Sequence, residues 1–232
     1  MPDRGVSLRR TAGALAIALA CFVTGAVSVL SDEAVIVLSE KVLAGAERKY
    51  GADARKRLTA WRLLLASGGK TQSDLEKLNL VNNFFNRVPF LSDAAHWSRE
   101  DYWATPVEML ASNGGDCEDF SIAKYFTLAA LGIPIDRMKI TYVKARTGNP
   151  VTEAHMVLTY YATPAAMPLV LDNLIPEIKP AGERPDLTPV YSFNGDGLWL
   201  AKERGDGKPV AGGSGNIGFW RDLKERMGKE FQ

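Results

Sequence analysis

Up to about residue 131, apolar side chains recur at three- and four-residue spacing; beyond residue 139 the spacing shortens to alternation and short apolar runs. The first pattern is helical and the second is that of strands. Residues 33–50 and 52–66 read as two helices, the second with Leu58, Trp61, Leu64 and Leu65 along one face. Ser67-Gly68-Gly69-Lys70 interrupts them. Ser73-Asp74-Leu75-Glu76 then has the form of a capping box, in which serine and glutamate side chains each satisfy an otherwise unpaired backbone N–H. Leu75, Leu78, Val81, Phe84, Phe85 and Val88 carry that helix towards Pro89 as a core-facing stripe. After a polar, aromatic stretch at residues 93–103, Thr105-Pro106-Val107-Glu108 opens a short helix ending near Ser112, with proline where a missing N–H does least harm. Gly114-Gly115 is turn chemistry and Asp116 suits an N-cap. The next helix therefore opens on Cys117 and runs through Phe120, Ala123, Phe126, Leu128 and Leu131 to a stop at Gly132 and Pro134, roughly four turns.

The strand-like half contains β-rich runs at 139–145, 154–161 and 169–173, and weaker ones at 190–193 and 198–201. Residues 205–218 are glycine-rich and read as a flexible loop, and 219–231 as a charged helical tail, solvated or docked. No internal repeat is present. Helices first and an antiparallel sheet second make an α+β domain. At the other end, residues 11–30 carry no charge and follow Arg4, Arg9 and Arg10, the layout of an export signal, with Ala26 and Ser28 suiting a cleavage site. The run is also long enough for an uncleaved anchor, and Leu19-Ala20-Cys21 hints at a lipoprotein signal. The expected organisation is a signal or anchor at 1–30, a catalytic domain at 31–204, and a loop and helix at 205–232.

Composition narrows the function. The chain has 232 residues, 46% of them hydrophobic, and a net charge of +1, enough for one good core and no basis for binding nucleic acid. Its two cysteines are Cys21 and Cys117, so cleavage after Cys21 leaves one. In an oxidising compartment structural cysteines come in pairs, and an unpaired thiol is a liability unless it is used. Cys117 also stands where unpaired helix N–H groups favour a thiolate.

A cysteine nucleophile needs a base and an orienting group. Of the two histidines, His96 lies in the polar segment well upstream and His155 opens an apolar strand. His155 and Asp172 fall on successive strands joined by a turn-forming segment, with their midpoint between Thr163 and Pro164. In an antiparallel hairpin they would stand roughly opposite each other, close enough for a carboxylate to orient an imidazole. Cys117, His155 and Asp172 are therefore the candidate catalytic set. The Cys117 backbone N–H is one oxyanion donor, with Tyr102 or Trp103 as candidates for a second.

Gly-Gly-Asp-Cys-Glu-Asp-Phe opening a helix, Ala-His-Met-Val-Leu on one strand and Val-Leu-Asp-Asn on the next resemble the transglutaminase-like branch of the papain-like cysteine peptidases. The closer resemblance is to the bacterial transglutaminase-like cysteine proteinases of LapG type. It covers about Leu75 to Leu200, and Tyr191-Ser192-Phe193-Asn194 and Leu198-Trp199-Leu200 add to it. The resemblance implies Cys117 as nucleophile, His155 as general base and Asp172 as orienter. It implies a calcium dependence tied to Asp116 and Glu118, and a periplasmic location. It further implies cleavage of a large repeat adhesin near its N-terminus, with consequences for biofilm attachment, and control by an inner-membrane cyclic-di-GMP receptor that sequesters the protease.

The residues bear on calcium in their own right. Asp116, Glu118 and Asp119 all lie within two residues of Cys117, and negative charge near a thiol opposes the thiolate. A cation would remove the conflict, and an all-carboxylate set suits calcium better than zinc. Asp116 and Glu118 flank Cys117 on the helix and are expected to point away from it, with further ligands from Asp101 or Asp136. Two rival readings remain: a transglutaminase-type acyltransferase, which resolves the same thioester with an amine, and a non-catalytic periplasmic binding domain of the same fold.

Overall fold

Both halves expected from the change of period are present in the computed structural model. It describes Met1 and residues 36–68, 73–148, 152–195, 197–200 and 207–231; the signal or anchor expected at 1–30, with Cys21, lies outside the described residues. The chain divides into two units, Met1–Asp32 and Glu33–Gln232, and every helix and strand among the described residues belongs to the second.

Helix α1 (Glu40–Tyr50) begins at Ser39, whose hydroxyl accepts the Val42 N–H at 3.4 Å, rather than at residue 33 as the apolar spacing suggested. Gly51, at φ 89°, separates it from α2 (Ala52–Ser67), which buries Leu58, Trp61 and Leu64. Helix α3 (Asp74–Phe85) has the expected capping box at Ser73 and Glu76. It stops short of Val88, and Leu75 is 54% exposed, so the buried stripe begins at Leu78. The polar stretch contains a single turn, α4 (Asp93–His96), that no apolar period announced. Helix α5 (Pro106–Ser112) is capped by Thr105 and Glu108 and ends on Asn113 in the left-handed region at φ 61°. Its last carbonyls would otherwise be unpaired; Arg57 of α2 takes those of Leu110 and Ala111 at 2.6 and 2.7 Å. Helix α6 (Cys117–Ala130) follows the two glycines, and ten of its residues are buried, so it runs through the centre of the domain.

The strands are β1 (Met138–Arg146), β2 (Thr152–Tyr160), β3 (Leu169–Leu171), β4 (Lys179–Pro180), β5 (Leu187–Phe193) and β6 (Leu198–Leu200). They form one antiparallel sheet in the order β4-β3-β2-β1-β5-β6. Helix α6 packs on β2 and β1, and α3 packs on α6. Trp61, Leu78, Phe85, Ile122, Leu128, Ile140, Leu158 and Phe193 are fully buried in the shared core. Trp61 donates its ring N–H to Thr127 Oγ1 at 3.0 Å, so the one polar atom it brings inside is satisfied.

The charged C-terminal segment forms α7 (Gly218–Glu230), and it is docked rather than solvated. Trp220, Leu223 and Met227 lie on one face of it and are buried in the same core, Trp220 against Phe126 and Phe193. Its charge dominates the composition, yet three apolar residues at helical spacing suffice to seat it. In the glycine-rich segment before it, a 3-10 turn at Gly213–Asn216 and a bridge between Trp199 and Pro209 fall within the described residues.

Candidate active site

Cys117 is the first residue of α6 and is partly exposed. The loop before it is fixed by Asp119, which is fully buried. Asp119 Oδ2 accepts the Asp116 N–H at 3.3 Å and Oδ1 accepts the Ala104 N–H at 2.7 Å. Because that carboxylate folds back over the turn, a side chain at Gly115 would meet Asp119 Oδ2 at 2.6 Å; one at Gly114 would meet the Leu91 side chain at 2.4 Å. Both glycines are thus required by close approach, which is why the sequence places them just before the thiol.

His155 lies in β2 and is 5% exposed; Asp172 follows β3 directly and is 1% exposed. The pairing of Leu158 with Leu171 sets Asp172 across from Val157, two positions from His155, so the two are diagonal rather than directly opposed. Two positions keep the same face of the sheet, and the side chains still meet: His155 Nε2 to Asp172 Oδ1 is 2.8 Å. Asp172 Oδ1 also accepts the Leu174 N–H at 3.0 Å, and Oδ2 accepts Arg184 Nη2 at 2.7 Å. Its main-chain carbonyl accepts from Asn86 Nδ2 at 2.8 Å and Lys124 Nζ at 3.1 Å. Burial pushes this carboxyl up, but the bonds from His155, Leu174 and Arg184 outweigh it and hold it at about 2.

Ser121, one turn into α6, joins the two elements: its hydroxyl lies 2.9 Å from the Cys117 carbonyl and 3.0 Å from that of Met156, next to His155. The thiol itself donates to Glu118 Oε2 at 3.1 Å rather than bonding His155. This corrects the expectation that Glu118 must point away from Cys117. Burial, then the Glu118 and Asp116 charges, push the thiol well above its usual range, with the Met156 backbone N–H acting the other way.

The acids around the loop converge. Ligand oxygens of Asp93, Asp116 and Asp119 lie within 4.8 Å of one another, as do those of Asp93, Asp101 and Glu118. Asp136, the other candidate from the sequence, is elsewhere, in a 3-10 turn beside Arg137 and Lys139. Asp93 was not anticipated; it comes from α4, brought in by its Oδ2 accepting the Tyr102 N–H at 2.5 Å. Burial and the neighbouring Glu118, Asp119 and Asp93 charges push Asp116 up to about 9, and burial pushes Asp93 up to about 6. Asp93 Oδ1 and Asp116 Oδ1 are both buried without a hydrogen-bond partner. Crowded carboxylates with two orphaned buried oxygens fit a hard divalent cation bound by oxygen.

Other expectations fare differently. His96 bonds Ser112 Oγ at 2.8 Å and packs edge-on against Trp97, a structural role. Neither candidate for a second oxyanion donor is free: the Tyr102 hydroxyl donates to Glu108 at 2.8 Å, and the Trp103 side chain bonds Asp101. Arg184 had no signal in the sequence, lying in an irregular segment between two short strands.

A thiol at a helix N-terminus, tied to the strand that carries a buried histidine–carboxylate pair, is the equipment of a cysteine peptidase. The chain belongs to the bacterial transglutaminase-like cysteine proteinases (BTLCP), whose family model matches residues 64–186. It is similar to LapG of Legionella pneumophila. The EGTA-treated structure of that protein is 46% identical, with a TM-score of 0.69, over 81% of this chain and 96% of the other. The calcium-bound structure is 45% identical, with a TM-score of 0.68, over 81% and 98%. No curated protein sequence matches the chain. Among the described residues, no helix is long and apolar enough to cross a membrane.

Proposed function

We propose that this chain is a calcium-dependent periplasmic cysteine endopeptidase, with Cys117 as nucleophile, His155 as general base and Asp172 as the group that orients the imidazole. On the family resemblance its substrate is a large repeat adhesin, cut near the N-terminus to end attachment in a biofilm. Its regulator is an inner-membrane cyclic-di-GMP receptor. What carries the reading is the 2.8 Å bond between His155 Nε2 and Asp172 Oδ1, in a chain 45% identical to calcium-bound LapG.

In this mechanism Asp172 occupies Nε2, so neutral His155 keeps its proton there and presents Nδ1 as the base. Nδ1 takes the thiol proton as sulphur attacks the scissile carbonyl, then gives that proton to the leaving amine. A thioester remains on Cys117. Nδ1 next removes a proton from water, whose oxygen attacks the thioester, and returns it to the sulphur as the acid departs. The Cys117 N–H, at the start of α6, stabilises the oxyanion. Asp93, Asp101, Asp116 and Glu118 would hold calcium, and the ion supplies charge neutralisation and order beside the thiol.

The test uses purified protein and a recombinant N-terminal fragment of a large repeat adhesin. A single cut in calcium, absent in EGTA and absent in Cys117→Ala, is expected. Cleavage that survives Cys117→Ala, or no cut in calcium, overturns the reading. Incorporation of a labelled amine in place of hydrolysis would assign the chain to the acyltransferases.

A further inference from the structure

Arg184 is 2% exposed, and its guanidinium reaches the carboxylate oxygen of Asp172 that His155 leaves free, at 2.7 Å. It also bonds the partly exposed Asp186 through Nε at 3.0 Å and Nη2 at 2.8 Å, while Nη1 is buried without a partner. Burying a guanidinium is costly, and a well-packed apolar side chain often serves stability as well or better. Its position at the reacting pair therefore needs a reason other than stability.

Proton counting supplies one. A buried carboxylate without a counter-charge gathers a proton, onto itself or onto its partner. When the His155–Asp172 pair holds one proton, it lies between Nε2 and Oδ1, and Nδ1 is free. When the pair holds two, one lies in that bond and the other on Nδ1, whether the state is written as imidazolium or as neutral acid. The pair titrates as a unit, so a fixed positive charge against Oδ2 lowers the pH at which the second proton binds.

We propose that Arg184 is a positioning residue for the reaction, balancing the Asp172 charge so that the pair holds one proton and Nδ1 stays open to the Cys117 thiol. This rests on the catalytic roles proposed for Cys117, His155 and Asp172. The other groups facing the pair do not substitute. Lys124 of α6 approaches the Asp172 main-chain carbonyl at 3.1 Å and not the carboxylate, and burial pulls it down to about 7, so above neutrality it brings no charge either. Asn86, after α3, is neutral, and Asp186 opposes the guanidinium.

The experiment compares Arg184→Gln and Arg184→Lys with the wild type in the full chain. It reads kcat/KM against pH on the adhesin fragment and the ring 15N signals of the histidines. There are two histidines in the sequence, so His96 serves as the internal control. Removing an opposing charge at this distance moves a carboxylate by about one to three pH units. Arg184→Gln should therefore shift the acid limb of the profile upward by about one unit or more and leave the alkaline limb in place. Activity at pH 6 should fall about tenfold or more, with little loss at pH 9. The His155 imidazolium should persist to correspondingly higher pH, His96 should not move, and Arg184→Lys should restore the profile. An equal loss at every pH, with His155 titrating as in the wild type, overturns the proposal. Should Arg184→Gln not fold, Asp186→Asn removes the charge opposing the guanidinium and should shift the profile slightly downward; an unmoved profile there also overturns it. If His155→Ala and Asp172→Asn stay active, it is the catalytic reading that has failed. If both are inactive and the Arg184 profile is unmoved, only this proposal has.

Discussion

Removing one carboxylate from the cluster beside Cys117 should stabilise the calcium-free protein and abolish its response to calcium. Asp116→Asn is the informative change, because asparagine is as good an N-cap as aspartate and leaves the start of α6 intact. Asp116 is pushed from the usual 3.8 up to about 9, by burial first and then by the Glu118, Asp119 and Asp93 charges. For an acid raised on folding, stability is unaffected below the unfolded value, falls as pH rises through the interval between the two, and stays at its lowest above the folded value. At pH 7.5 the interval crossed is nearly four units, about 5 kcal/mol at face value. Asp116 is only partly buried, so solvent screening reduces this to roughly 2–3 kcal/mol. In EGTA at pH 7.5 the variant should therefore melt roughly 5–10 °C above the wild type, at about 2–4 °C per kcal/mol for a domain of this size. Calcium at a hundredfold over its Kd should raise the wild type by about 2.7 kcal/mol, a similar shift, and should leave the variant unmoved. Scanning fluorimetry between pH 5 and 8.5, with EGTA or calcium, measures all of this. A calcium-free wild type whose melting point is flat with pH, and which Asp116→Asn does not exceed, would refute the argument.

Cys117→Ala should abolish cleavage with little change in melting temperature, since the thiol sits partly exposed at a helix end; turnover assays beside a thermal melt check both halves. His155→Ala should lose about as much activity as Cys117→Ala, because members of such a set act as a unit. His96→Ala should cost stability but little turnover, since its contacts are to Ser112 and Trp97. Trp220→Ala should cost roughly 3–5 kcal/mol, the range for emptying a large aromatic from a core, visible as a lowered denaturation midpoint. A solvated C-terminal helix would show almost no change.

Periodicity made the helices and strands legible, because burial imposes a repeat of 3.6 or 2 on whichever face meets the core. It failed where too few residues were involved to show a repeat. The turn at Asp93–His96 is one such place, and the two-residue strand at Lys179–Pro180 is another. The His155–Asp172 pair was readable because a hairpin ties register to sequence, and an error of two positions preserves the face. The acidic cluster beside the thiol was readable only in part. Asp116 and Glu118 are local to the thiol, whereas Asp93 arrives through the Tyr102 N–H, a tertiary contact with no fixed spacing. Charge left α7 open between a solvated and a docked helix, because the exposed face supplies most of the sequence and the buried face supplies the fold.

Two carboxylate problems flank the thiol, and the chain meets them by different means. Asp172 is buried deeply, and its charge is met by Arg184, a cation that the chain carries at every moment. Asp93, Asp116 and Glu118 have no such partner: two of their oxygens are orphaned, and Glu118 turns to the sulphur instead. A fixed arginine in that second position would settle the charge permanently and leave the thiol free at all times. Leaving it to an external ion, as proposed above, would make nucleophile and base separately controllable. On the proposed mechanism the His155–Asp172 pair is set by the fold, while release of the Cys117 thiol from Glu118 would wait on a cation from outside. The EGTA-treated and calcium-free wild type should accordingly keep the His155 ring signals of the calcium-loaded protein while its Cys117 reacts more slowly with iodoacetamide. Loss of both properties together on chelation would mean that the ion holds the whole site and not the thiol loop alone.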